Sequence, residues 1–228
     1  MSTPQRCHAC GGKGKEGGCP RCGLTPRTST VNLLSRMDLA ADIIPIPYQG
    51  KIWDPPESPP TPAAREFDEK LVKVRDLFLS GKIPAFSMFI ASPPKYGKHA
   101  FAYTCMQTAL VQQFSVAPLL SSSDWRRLYK VSQMNPFYKL YGKYKWDDLV
   151  AMDVVFLFVD HSDDRYDSIS LLKDIFDTRA AFGKPTFVLS DYKLVDLTPQ
   201  WNKEAYSMIY NPDSGRDHNR YPVVMQRF

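Results

Sequence analysis

Ile90-Ala-Ser-Pro-Pro-Lys-Tyr-Gly-Lys-His99 is the stretch that decides how this chain is read. Phe86 to Ala91 is apolar and strand-like, and Lys98 to Phe114 has the length and composition of a helix. A strand-to-helix turn with the pattern G-x-x-x-x-G-K-[ST] holds phosphates. Its backbone N–H groups and the helix N-terminus face the oxygens, its lysine reaches the β/γ groups, and its hydroxyl ligates Mg²⁺. Here the pattern is Ser92-x4-Gly97-Lys98-His99. Gly97 and Lys98 are in register. Ser92 replaces the first glycine, and His99 replaces the hydroxyl. The plain alternative is a lysine-rich turn with no ligand.

A second segment sharpens the first. Val154-Val-Phe-Leu-Phe-Val-Asp160-His161 is an apolar run ending in an acid. It fits a buried parallel strand, with Asp160 placed to orient Mg²⁺ through water. The position that normally polarises the attacking water is His161, while Asp163 and Asp164 are displaced from it. A third segment, Gly183-Lys-Pro-Thr-Phe-Val-Leu-Ser190-Asp191, reads as a strand ending in polar residues.

Outward from these segments the chain alternates. Phe67, Leu71, Val74 and Phe78 recur at helical spacing, with Gly81 closing the helix. Val116 to Leu120 reads as a short strand. Trp125 to Val131, Trp146 to Val150 and Ser168 to Phe182 read as helices, and Tyr221 to Met225 as a last strand. Alternating strands and helices predict an α/β fold, a parallel sheet with helices on both faces. The prolines Pro45, Pro47, Pro55, Pro56, Pro59, Pro60 and Pro62 mark an extended stretch. Its apolar residues, among them Ile43, Ile44, Ile46, Tyr48 and Trp53, are suited to docking on a domain surface or a partner. The expected organisation is a cysteine module at 1–26, a Pro-rich linker or docking segment at 27–65, and the nucleotide-binding core at 66–228.

Composition narrows the class. The chain has 228 residues, 43% hydrophobic and 13% aromatic, with a net charge of +5. That is enough apolar material for a packed core, and a mildly basic balance compatible with nucleic acid. No apolar run approaches the ~20 residues of a membrane span, and MSTPQRCHAC has no hydrophobic signal core. A soluble, cytoplasmic protein is expected.

Four of the five cysteines form Cys7-x2-Cys10-x8-Cys19-x2-Cys22. Two such knuckles complete a tetrahedral Zn²⁺ site; an iron–sulfur or redox role is the rival. So short a segment has no core of its own, so metal would supply its fold. Arg6, Lys13, Lys15, Arg21 and Arg27 make it basic, which leaves DNA contact and protein docking both open.

Between Trp125 and Trp146 lie Arg126, Arg127, Lys130, Lys139, Lys143 and Lys145, without an acid. Tyr129, Phe137, Tyr138, Tyr141 and Tyr144 are interleaved. Cations tracking phosphates beside aromatic faces that stack bases is the chemistry of single-strand binding. The alternative is a helical region whose aromatics face the core and whose cations are solvated.

In order and spacing, Phe89 to Lys98, Trp146-x2-Leu149-x3-Asp153 to Asp160, and Tyr166-x9-Phe176-Asp-x-Arg179-x4-Lys184-Pro-Thr to Asp191 resemble the AAA+ domain of DnaC/DnaI-type helicase loaders. The related IstB-like transposition ATPases share the likeness, which covers roughly residues 85–192. A zinc module ahead of such a domain resembles the DnaI-type arrangement, and the small size suggests a phage-encoded version. The resemblance implies ATP or ADP with Mg²⁺ as ligands, Lys98 on phosphate, Asp160 serving Mg²⁺ and Asp191 at the sensor 1 position. It implies single-stranded DNA and a replicative DNA helicase as partners, and self-association or an oligomer on the helicase. No clear arginine-finger motif follows the sensor strand, and Arg216 and Arg220 are candidates for it. With Ser92, His99 and His161 off pattern, weak or absent hydrolysis is expected. Two other readings stand beside the loader: a degenerate AAA+ interaction protein acting as inhibitor or scaffold, and a zinc-ribbon nucleic-acid-binding factor.

Overall fold

The computed structural model describes residues 42–57, 61–135, 137–140, 143–159, 167–193 and 223–226. Met88–Ala91 (β1), Leu120–Ser121 (β2), Val155–Val159 (β3), Thr186–Ser190 (β4) and Val223–Gln226 (β5) form one sheet, ordered β2-β3-β4-β1-β5. Every pairing in it is parallel. The helices are Pro62–Leu79 (α1), Lys98–Val111 (α2), Ser122–Met134 (α3), Trp146–Val150 (α4) and Asp167–Ala181 (α5). The α/β class expected from the alternation is the one observed.

The strand residues sort by parity onto two cores, because successive side chains point to opposite faces. Met88, Ile90, Phe156, Phe187 and Leu189 pack with Phe67, Leu71, Val74 and Phe78 of α1 and Phe101, Cys105 and Met106 of α2. Phe89, Ala91, Val155, Leu157, Val159 and Val188 pack with Trp125 and Leu128 of α3, Leu149 and Val150 of α4, and Ile175 and Phe176 of α5. Burial on both faces is why these strands are continuously apolar rather than alternating. Phe156 and Phe187, partners in the β3–β4 register, stack with centroids 4.7 Å apart.

Local chemistry sets the helix ends. Thr61 Oγ1 accepts a hydrogen bond from Ala64 N at 3.1 Å, and Pro62 takes the first helical position of α1, where its missing N–H costs nothing. At the other end Gly81 takes φ 83°. The last carbonyls are met there by Gly81 N on Phe78 O and Lys82 N on Leu77 O, both at 2.9 Å.

Part of the Pro-rich stretch lies on the core. The buried residues of α2 run around most of its circumference: Phe101, Ala102, Thr104, Cys105, Met106, Ala109 and Leu110. A helix apolar over most of its circumference must be covered over most of it. The sheet and α1 cover the inner side, and residues 42–57 form a strap over the rest. Ile44 is buried in the same core, and the Tyr48 ring lies 4.7 Å from that of Tyr103. Polar stitches fix its path. Trp53 N donates to Thr104 Oγ1 at 2.8 Å, Gly50 N donates to Gln107 Oε1 at 3.1 Å, and Gln107 Nε2 donates to Lys51 O. Arg75 of α1 closes the end of the strap, donating to Trp53 O at 3.0 Å and pairing with Asp54.

Candidate functional site

The turn Ser92–Gly97 joins the C-terminal end of β1 to the first residue of α2, at the edge where parallel sheets place their ligand crevices. Two of its residues are left-handed: Lys95 at φ 72° and Gly97 at φ 84°. Gly97 adopts this freely. Lys95 does so at a cost of about 1–2 kcal/mol, strain of the kind that gathers at functional turns. Gly97 is also sterically required. A Cβ there would sit 2.6 Å from Trp53 Nε1 of the strap. The first turn of α2 contains no acid of its own, so an anion beside its N–H groups and the positive end of the helix dipole must come from another element.

Lys98 is buried, and its ammonium is held inside the turn. It donates to Ser92 O at 2.9 Å and Pro93 O at 3.2 Å, and it is ion-paired with Asp191 Oδ1. Asp191 follows β4, which lies between β1 and β3. The Ala91↔Ser190 register continues as a hydrogen bond from Ser92 N to Ser190 O at 3.1 Å. Backbone pairing thereby fixes Asp191 beside the turn.

His99 lies 4.9 Å from the ring of Phe158 on β3. Burial pushes its imidazole below the usual range, the Lys98 charge adds to this, and Asp191 opposes it. The shift favours the neutral ring. The arrangement fits a phosphate: it offers a glycine turn, a helix N-terminus and a lysine. It does not supply the hydroxyl that normally binds Mg²⁺, since His99 occupies that position. Asp160 and His161 lie outside the described residues, as do Asp163, Asp164, Arg216, Arg220 and the four cysteines Cys7, Cys10, Cys19 and Cys22.

The basic aromatic stretch divides. Trp125 is buried, and Tyr129, Tyr138, Tyr144 and Trp146 pack against the same core. Those rings serve packing. Phe137 is 81% exposed and Met134 81% exposed, with Lys145 Nζ 5.8 Å from the Phe137 centroid. Arg127, Lys130, Lys139 and Lys143 are exposed, Arg126 and Lys145 partly so. Lys143 meets Asp42 of the strap at 3.2 Å. Tyr141 lies outside the described residues.

The Asp-x-Arg and Lys-Pro-Thr segments are brought together away from the turn, at the N-terminal ends of β3 and β4. Arg179 is fully buried. Its guanidinium donates to Val150 O at 2.8 Å, Met152 O at 2.6 Å, Asp153 O at 3.2 Å, Pro185 O at 2.6 Å and Thr186 Oγ1 at 3.1 Å. Burial lowers its pKa to about 10, which leaves it charged at neutral pH. Lys184 pairs with Asp153 at 3.1 Å. Burial pushes the Asp153 carboxyl up, but hydrogen bonds from Ser115 and Lys184 outweigh it and hold the group below its usual range. These residues clasp two loops together. The sequence pattern pointed to Lys98 and Asp191 separately but not to their pairing, and it did not single out Trp53 as the neighbour of Gly97.

No protein-family model matches the chain, and no curated protein sequence matches it. Solved structures similar to it include DnaI, at 14% identity over 71% of this chain and 85% of that one, with a TM-score of 0.49. A protein described as a primosome component of Streptococcus pyogenes serotype M3 is similar at 15% identity over 75% of this chain and 82% of that one, TM-score 0.47. DnaA from Aquifex aeolicus bound to AMPPCP is similar at 13% identity over 72% of this chain, TM-score 0.45. This chain spans 45% of that DnaA chain. Each is a likeness of fold at low identity, and none assigns a role to a residue of this chain.

Proposed function

We propose that the chain is an AAA+ adaptor of DNA replication, a helicase loader that binds ATP and single-stranded DNA and docks on a replicative helicase, with weak or absent hydrolysis. The observation that carries this reading is the strand–turn–helix at Ser92–His99, with Lys98 buried at the crevice edge and Asp191 on the neighbouring strand tip. The turn takes nucleotide phosphates. Asp160 serves Mg²⁺, and the missing hydroxyl at His99 weakens the metal site and slows turnover. Cys7, Cys10, Cys19 and Cys22 hold Zn²⁺ in an N-terminal module that grips the helicase. Arg126, Arg127, Lys130, Lys139, Lys143 and Lys145, with Tyr141, line the path of the DNA strand. Exposed Phe137 is the base-stacking ring that the described residues offer there.

A second reading is favoured by His99 and by the occupied state of Lys98: an interaction protein that keeps the fold and does not turn over nucleotide. One experiment bears on the loader directly. The full chain, and a chain lacking residues 1–30, are used to capture the cognate replicative helicase in the presence of ATP. Capture by the full chain and its loss on truncation is the expected result. Capture by neither would sink the loader reading and leave the second.

A further inference from the structure

The ammonium of Lys98 has three N–H donors, and three acceptors meet it: Ser92 O at 2.9 Å, Pro93 O at 3.2 Å and the Asp191 carboxylate. Two hydrogen bonds go to the carbonyls, and the carboxylate holds the charge that a phosphate would need. Lys98 is 2% exposed and the Asp191 side chain 24% exposed, so this is not a solvent-separated surface pair. Asp191 Oδ1 is itself buried and takes no hydrogen bond among the described residues, so the Lys98 charge is its recorded partner there. The position of the acid is fixed by the strand ladder rather than by a loose loop. Ala91 is in register with Ser190, Ser92 N donates to Ser190 O at 3.1 Å, and Tyr192 N donates to Ser190 Oγ at 3.1 Å. The pair also offsets the positive charge of Lys98, a side chain whose cation would attract phosphate.

We propose that Asp191 is a built-in counter-anion that holds Lys98 in place of a nucleotide phosphate and so sets the nucleotide affinity of the turn. This rests on reading Ser92–His99 as a nucleotide site, and it specifies how that site is regulated. A phosphate must displace the carboxylate from Lys98 and then tolerate a negative neighbour, because like charges close together disfavour the bound state. The carboxylate thus competes with phosphate for Lys98. Occupancy depends on high nucleotide concentration, or on a partner that draws the β4 tip away. Asparagine at 191 would keep the size and hydrogen-bonding capacity while removing the charge.

The full chain is titrated with a fluorescent ATP analogue and Mg²⁺ as wild type, Asp191→Asn, Lys98→Ala and the double variant, with thermal melts to verify folding. Asp191→Asn is expected to bind about tenfold tighter or better than wild type, with the gain lost in the double variant. Asp191→Ser repeats the test if Asp191→Asn does not fold. Equal affinity of wild type and Asp191→Asn, both weakened by Lys98→Ala, would overturn the counter-anion while keeping the nucleotide site. Failure of every form to bind at millimolar analogue would remove the nucleotide site itself.

Discussion

Among the described residues, Arg179 meets five acceptors and no carboxylate with its guanidinium. Its role is to satisfy the main chain where the loops entering β3 and β4 converge. Removing it leaves buried carbonyls without donors, each loss costing on the order of 1–3 kcal/mol before relaxation. Arg179→Met is expected to destabilise the fold by about 3–5 kcal/mol in urea unfolding. Arg179→Lys should recover less than half, because one ammonium cannot span the fork of acceptors. A loss under about 1 kcal/mol for Arg179→Met would contradict the clasp. The Asp-x-Arg and Lys-Pro-Thr segments, part of the sequence resemblance, are joined here by structural hydrogen bonds.

At the scale of elements, the strap and α2 depend on each other. Trp53 is nearly buried, lies edge-on to Phe101 with centroids 5.4 Å apart, and presses its indole on Gly97. Trp53→Ala is expected to lower stability by about 3 kcal/mol, and Trp53→Phe by clearly less. A calorimetric melt of Trp53→Ala indistinguishable from wild type would mean that the strap is not part of the core. The strands and helices themselves were legible, because their signals are local. Lys98 to Phe114, Trp146 to Val150 and Pro185 to Leu189 each sit within a few residues of the observed elements. The strap was legible only as apolar clusters suited to docking. Its fixing contacts join residues some fifty positions apart, such as Trp53 and Thr104, and no periodicity encodes them. In the basic stretch, composition could not tell core rings from exposed ones. Helical phase and packing put Trp125 and Trp146 inside and left Phe137 out.

At the scale of the whole molecule, sheet order is what assembles the site. With β4 between β1 and β3, the tip carrying Asp191 is laid against the turn carrying Lys98. The residue types on each tip were readable in sequence. Their ion pair was not, since it is created by strand order rather than by spacing. The central claim is that Ser92–His99 is where a nucleotide binds. Hydrogen–deuterium exchange on the full chain, with and without millimolar ATP and Mg²⁺, tests it most directly. Slowed exchange confined to the turn, the first turn of α2 and the β4 tip, absent in Lys98→Ala, is the predicted result. Unchanged exchange at these amides, or equal slowing in Lys98→Ala, would contradict it.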